Sequence, residues 1–221
     1  MTKTVLVVGG TSGLGLSLAS LLATQPCDVY VTGRTDPDRV NLRFIELEID
    51  TDDLAGTLDN LIEPLQYFDL VIYAAGFYEE ARIGESSDDF IMKMNRVGIL
   101  APMLLIAKLV RNQGHLPEFI AITSTSQWTP RELEPSYSAV KAGLGMFANS
   151  LSLDPIVGKV LVIGVAGMAT PFWKNSGRDV TTMLRPDWVA TQTIGQLYDD
   201  YRYRFVKILR SPQRVEVVET R

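Results

Sequence analysis

The chain has 221 residues, 46% of them hydrophobic and 21% charged, enough for one well-buried α/β domain and too few for a comfortable second. A net charge of −5 and a pI near 5.0 argue against a nucleic-acid or anionic-membrane partner. The single cysteine, Cys27, excludes an internal disulfide, and the single histidine, His115, comes with no Cys/His cluster, so no metal site is assigned. The start of the chain carries no signal-peptide pattern and no apolar run reads as long enough to cross a bilayer. The expectation is a soluble, cytoplasmic protein formed as one unit over residues 1–221.

In chain order, the first strand pattern is Val5-Leu6-Val7-Val8. It leads into Gly9-Gly10-Thr11-Ser12-Gly13-Leu14-Gly15 and a helix with Leu14, Leu18, Leu21 and Leu22 on one stripe. Glycines permit a tight turn and let the backbone approach a pyrophosphate, whose charge meets the first amides of the helix. Thr11 and Ser12 add hydroxyl donors. Further strands are expected at 28–32, 42–47, 69–73, 118–123, 159–165 and 204–209, alternating with helical patterns. That alternation predicts an α/β fold, a doubly wound parallel sheet of Rossmann-like type in three α/β/α layers.

The second strand ends in Thr32-Gly33-Arg34 and the third in Glu48-Ile49, with Asp50 as a competing alignment for Glu48. A helix over 53–62 stops at Pro64, and the fourth strand ends in Tyr73-Ala74-Ala75-Gly76. A longer helix starts at the N-cap pair Ser87-Asp88 and runs toward Arg111, bent by Pro102 and carrying Asn95. Ser124 ends the fifth strand, with Ser126 a rival two residues on. A helix from Glu134-Pro135 to about 153 carries Tyr137 and Lys141, four residues apart and so one turn apart on one face. An unperturbed phenol, with a pKa of about 10, is a poor acid or base at neutral pH, whereas an adjacent ammonium favours the phenolate and brings the group into range. The sixth strand gives way to Ala166-Gly167-Met168-Ala169-Thr170. The segment 172–186, polar in its middle at Asn175, Ser176, Gly177, Arg178 and Asp179, reads as a mobile substrate lid. A last helix follows Pro186-Asp187, and the charged tail 214–221 either frays or pairs with another subunit.

Gly9, Gly13 and Gly15 in G-x-x-x-G-x-G spacing, with Asn95, Ser124, Tyr137 and Lys141 in order, resemble the short-chain dehydrogenase/reductase family over nearly the whole chain. The resemblance implies an oxidoreductase that transfers hydride between a nicotinamide and a carbonyl or secondary alcohol. Tyr137 would be the general acid or base, Ser124 would hold the substrate oxygen, and Asn95 would position a water relaying protons to Lys141. Lys141 would lower the Tyr137 pKa and contact the ribose. The implied cofactor site comprises Gly9, Thr11, Ser12, Gly13, Leu14, Gly15, Arg34, Ile49, Ala75, Gly76, Tyr137, Lys141, Gly167 and Thr170. Gly33 stands where NAD users carry an acid, and Arg34 follows it as in members that hold a 2′-phosphate, so NADP is expected ahead of NAD. Two departures are Ala74, where the family has asparagine, and Ala166, where it has proline. Because of them, a non-catalytic NADP-binding sensor or scaffold stays open as an alternative. The substrate would be a small molecule bound among Phe77-Tyr78, Gln127-Trp128 and 168–184, with Trp128 and Trp173 either facing it or buried in the core or a subunit interface. A homodimer or homotetramer is implied through the helices bearing Asn95 and Tyr137, although the apolar run 99–110 would serve equally inside one subunit.

Overall fold

The computed structural model describes residues 2–64, 67–174 and 176–221. Its strands are β1 (Lys3–Val8), β2 (Cys27–Gly33), β3 (Arg43–Glu46), β4 (Leu70–Tyr73), β5 (Leu116–Ser124), β6 (Val157–Val165), β7 (Tyr203–Arg210) and β8 (Gln213–Thr220). Its helices are α1 (Gly13–Leu22), α2 (Leu54–Ile62), α3 (Asp88–Asn95), α4 (Ala101–Gln113), α5 (Pro135–Leu151) and α6 (Pro186–Gly195). The strands form one sheet in the order β3-β2-β1-β4-β5-β6-β7-β8. Every neighbouring pair is parallel except β7 with β8.

Side chains of a strand alternate between faces, and β1 shows how the two layers of helices are served. Val5 and Val7 pack toward α1 and α6 with Leu14, Leu18, Val189 and Ile194. Leu6 and Val8 face the other way, toward Leu58 and Leu61 of α2, Leu105 and Leu109 of α4 and Leu144 of α5. The expected Rossmann-like α/β architecture is the one observed. The chain order reverses beside β1, so the carboxyl ends of β1 and β4 flank a crevice, the usual place for a ligand in such sheets.

Three expectations change. The tail does not fray: 213–220 forms β8, an antiparallel edge strand on β7 with a register shift at Phe205/Val206. The long helix is interrupted before Pro102, by a π turn at Arg96–Leu100 between α3 and α4. Proline offers no N–H to the carbonyls behind it, and one of these, Val97, instead accepts the buried Tyr73 hydroxyl at 2.5 Å. Finally, the stretch Asp88–Gln113 does have the length and apolarity of a bilayer-crossing helix. Its residues Leu105, Ile106 and Leu109 are packed in the core beneath the sheet.

Candidate active site

The first turn after β1 is shaped by what cannot be there. Gly9 has φ +77°, and a Cβ on it would lie 2.7 Å from the Ala75 backbone. A Cβ on Gly15 would run into the Gly9 carbonyl, so only glycine allows α1 to start this close to the turn. The result is a cradle at the N-terminus of α1 with Thr11, Ser12 and Gly13 on its rim and Thr170 opposite Gly13. A cradle of main-chain amides at a helix N-terminus, closed to any Cβ, fits a pyrophosphate.

Position 33 is closed as well. A Cβ on Gly33 would collide with the Thr11 hydroxyl and methyl, so an acidic side chain at the end of β2 would have to displace Thr11. Arg34 is exposed on the cavity wall, near Glu48, Ile49 and Asp50. Asp50 is engaged elsewhere, accepting from Arg96 at 3.0 Å and Lys93 at 3.1 Å.

The cavity, about 800 Å³, runs from this cradle to the start of α5. Along it lie Ala75, Gly76, Ser124, Tyr137, Lys141, Gly167 and Thr170, so residues far apart in sequence converge on one crevice. Tyr137 and Lys141 are both buried. The Lys141 ammonium donates to the Ile122 carbonyl at 3.1 Å and lies 5.7 Å from the centre of the Tyr137 ring. Burial brings Lys141 down to about 8 and pushes Tyr137 above its ordinary value, with the Ser124 hydroxyl beside it pulling the other way. The expected lowering of Tyr137 by Lys141 is therefore not what sets Tyr137 here, where burial outweighs its neighbours.

Asn95 is exposed, outside the cavity lining, and its side-chain amide donates back to the Ile91 carbonyl at 2.8 Å. It sits where α3 gives way to the π turn, and its side chain serves the helix rather than the crevice. Trp173 lines the cavity and donates to the Met168 carbonyl at 2.8 Å. Trp128 does not line it; its ring packs on Gly164 and edge-on against Phe205, 5.6 Å between centres. Of the segment 172–186, Asn175 lies outside the described residues. Around it, Leu184 bonds back to Gly167 and Ala169, closing the loop on itself beside the cavity.

Sequence reasoning placed Tyr78 along the substrate pocket and Arg178 in the lid segment but missed Glu134, which joins them. Glu134, at the N-cap position of α5, is only 6% exposed. It accepts from Ser126 at 2.7 Å, from Tyr78 at 2.8 Å and from Arg178 at 3.3 Å. The Tyr78 ring meets Tyr137 edge-on at 5.7 Å. Arg178 also pairs with Glu80 and lies over the rings of Tyr78 and Trp173. For Glu134 the signal in the sequence was a carboxylate directly before Pro135 at the head of α5.

The sequence model for short chain dehydrogenase matches residues 3–180. The chain belongs to the short-chain dehydrogenase family. Members of this family are oxidoreductases that bind NAD(P). Among curated relatives, the uncharacterized oxidoreductase YohF of Escherichia coli K12 is 26% identical over 204 residues, 84% of this chain and 81% of the relative. The 2-dehydro-3-deoxy-D-gluconate 5-dehydrogenase of Dickeya dadantii is 24% identical, covering 90% of this chain and 76% of that one. A Sphingobium yanoikuyae short-chain dehydrogenase solved with NADPH superimposes with a TM-score of 0.79, at 18% identity, over 93% of this chain and 87% of that one. Acetoin dehydrogenase YohF from Salmonella typhimurium has a TM-score of 0.77 and 21% identity, with 90% of each chain covered. These low-identity structures share the short-chain dehydrogenase fold.

Proposed function

We propose that this family member is an NADP-dependent oxidoreductase of small carbonyl compounds or secondary alcohols, with Tyr137 giving or taking the proton. The observation that carries the reading is the convergence of Ser124, Tyr137 and Lys141 on the crevice that also contains the glycine cradle. When bound, the nicotinamide supplies or accepts the hydride. The cradle from Gly9 to Gly15, with Ile49, Ala75, Gly76, Gly167 and Thr170, holds the dinucleotide. Ser124 donates to the substrate oxygen, stabilising charge as it develops there. Tyr137, a phenol at neutral pH because burial raises it, is set to donate in carbonyl reduction. Lys141 holds the ribose and, once a cofactor and substrate have displaced water, biases Tyr137 toward its anion. Asn95, at the start of the π turn with its side-chain amide bonded back to Ile91, acts in this reading as a positioning residue. The aromatic wall of Tyr78, Phe172 and Trp173 receives the body of the substrate.

NADP preference rests on Arg34 at the cavity wall and on the closed position 33. A guanidinium binds a 2′-phosphate bidentately, and no carboxylate can take the 2′-hydroxyl from position 33. The test is binding of NADPH and NADH, by fluorescence, to wild type and Arg34→Ala. Tight NADPH binding that weakens about tenfold or more in the variant, while NADH is unaffected, supports the assignment. Failure to bind either nucleotide would sink it. A carbonyl panel with Tyr137→Phe as control then tests turnover.

A further inference from the structure

We propose that Glu134 is a positioning residue for the substrate end of the crevice, holding Tyr78 and Arg178 in the wall that a substrate meets. The inference rests on the oxidoreductase reading and names a residue that sets substrate affinity within it.

Glu134 is buried, and it directly precedes Pro135 at the N-cap position of α5. A side chain there ordinarily accepts from the free N–H groups of the first helical turn, yet Glu134 makes no such bond. Both of its oxygens instead serve side chains from elsewhere. Oε2 accepts from Ser126 Oγ at 2.7 Å, and Oε1 faces Tyr78 Oη at 2.8 Å and Arg178 Nη2 at 3.3 Å. Its charge also works against a Tyr137 anion, raising that phenol rather than lowering it. Neither helix capping nor support of proton transfer accounts for the residue. Its bonds join three stretches of chain: the one after β4, the one between β5 and α5, and the one between β6 and α6.

The first two stretches are also tied without it. The Ala81 N–H donates to the Leu133 carbonyl at 3.0 Å, and Arg82 pairs with Glu132 at 2.6 Å. The third depends on it more. Main-chain bonds of Leu184 to Gly167 and Ala169 close the neck of 168–184 but leave its tip to be placed. Among the described residues of that tip, Arg178 makes the hydrogen bonds to the other two stretches: to Glu80, to Tyr78 at 2.6 Å and to Glu134. Glu80 is exposed, and an exposed ion pair holds a side chain loosely, whereas a buried carboxylate left unpaired is costly. Glu134 is therefore the partner that fixes the Arg178 guanidinium. That group lies over Tyr78 and Trp173, 5.3 Å from each ring centre, and the Tyr78 ring stands edge-on to Tyr137 at 5.7 Å. One buried carboxylate thus sets the aromatic wall against the phenol that gives or takes the proton.

The test compares wild type with Glu134→Gln, Arg178→Met and the two combined. Glutamine keeps the size, but its amide nitrogen cannot accept, so Ser126 and the Tyr78–Arg178 side are no longer both served. With a carbonyl substrate found in the panel, KM should rise about tenfold in either single variant, while kcat stays within about twofold and NADPH affinity is unchanged. The double variant should match the singles rather than multiply them, because both break one contact. In the cofactor-free protein, acrylamide should quench Trp173 more strongly in both variants, read as the difference from the same proteins carrying Trp173→Phe. Should Glu134→Gln not fold, Arg178→Met, at an exposed residue, reads the same contact. A residue needed only for folding would lower the urea midpoint and leave KM and quenching as in wild type, which overturns the proposal. Effects that multiply in the double variant, or a loss of NADPH affinity equal to the rise in KM, overturn it too. If wild type turns over no carbonyl at all, the oxidoreductase reading fails, and the quenching comparison alone decides whether Glu134 places the wall.

Discussion

At Lys141 the fold holds an ammonium that is buried but for its edge on the crevice, and this burial costs stability. Its pKa is lowered from 10.5 to about 8 by burial. The sign of the linkage follows. Below about 8 both folded and unfolded states carry the proton, and the penalty of the buried charge is fully present. Between about 8 and 10.5 the folded state has shed a proton that the unfolded state keeps, so stability rises with pH. The slope is about 1.4 kcal/mol per pH unit in the middle of that window. Urea unfolding at pH 7.5, 8.5 and 9.5 should show this rise in wild type. Lys141→Met should lose the rise, be more stable at pH 7.5 and have no turnover. A parallel pH dependence in the two proteins would refute the assignment. Tyr137 moves the opposite way: burial raises it above 10, so any basic limb of the activity profile near 8 belongs to Lys141.

Among the elements, the π turn is the joint that sets Tyr137 and Lys141 against the crevice. A Cβ on Gly98 would lie 2.6 Å from Val140, which stands between those two residues on α5. Gly98→Ala should cost about 1–3 kcal/mol in urea unfolding through overpacking and lower turnover, and adding Val140→Ala should recover most of the stability. If the double variant recovers none, the contact is not what the glycine serves. The glycine turn, the seven parallel strands and the Ser124, Tyr137 and Lys141 set were legible because each is local: an apolar run, a fixed spacing, a strand end. The strand β8 was not legible, since an edge strand with one neighbour exposes most of its side chains. In it Val215, Val217 and Val218 are outnumbered by polar residues. The π turn depends on the Tyr73 hydroxyl reaching Val97 from another strand, and periodicity carries no trace of that. Nor does it reveal Glu134, whose partners Tyr78 and Arg178 are 56 and 44 residues away.

Across the whole molecule, a net charge of −5 encloses a crevice whose walls carry Arg34, Lys174, Arg178, Arg210 and Arg214. In the proposed reading Arg34, with Arg210 and Arg214 lining the same crevice, attracts the nucleotide phosphates against both the net charge and the Glu48 and Asp50 carboxylates of the crevice. NADPH affinity should therefore fall as salt is raised from 0.05 to 0.5 M, those being round conditions on either side of a Debye length of about 10 Å. A titration that shows no salt dependence would remove Arg34 and its neighbours from the binding account. The outer faces of α4 and α5 leave Met103 and Met146 exposed, with Leu100 of the π turn beside them, while Leu105, Ile106 and Leu109 are buried within the subunit. Together with Met92 of α3, this outer set is the exposed apolar surface of the helices bearing Asn95 and Tyr137 and would serve the proposed homodimer or homotetramer. Leu100→Lys with Met146→Lys should shift the sedimentation coefficient toward the monomer; an unchanged value would place the association elsewhere.

The contact between Thr11 and Gly33 bears on how this chain can change by mutation. An aspartate at 33 is the single step that would favour NAD, yet it must push aside a β-branched side chain on the cofactor loop. Gly33→Asp alone should lose NADPH without gaining NADH, whereas Gly33→Asp with Thr11→Gly should gain it. Under the proposed NADP preference, the order of substitution therefore matters: a switch of coenzyme that begins at Gly33 meets the Thr11 side chain, whereas one that begins at Thr11 does not.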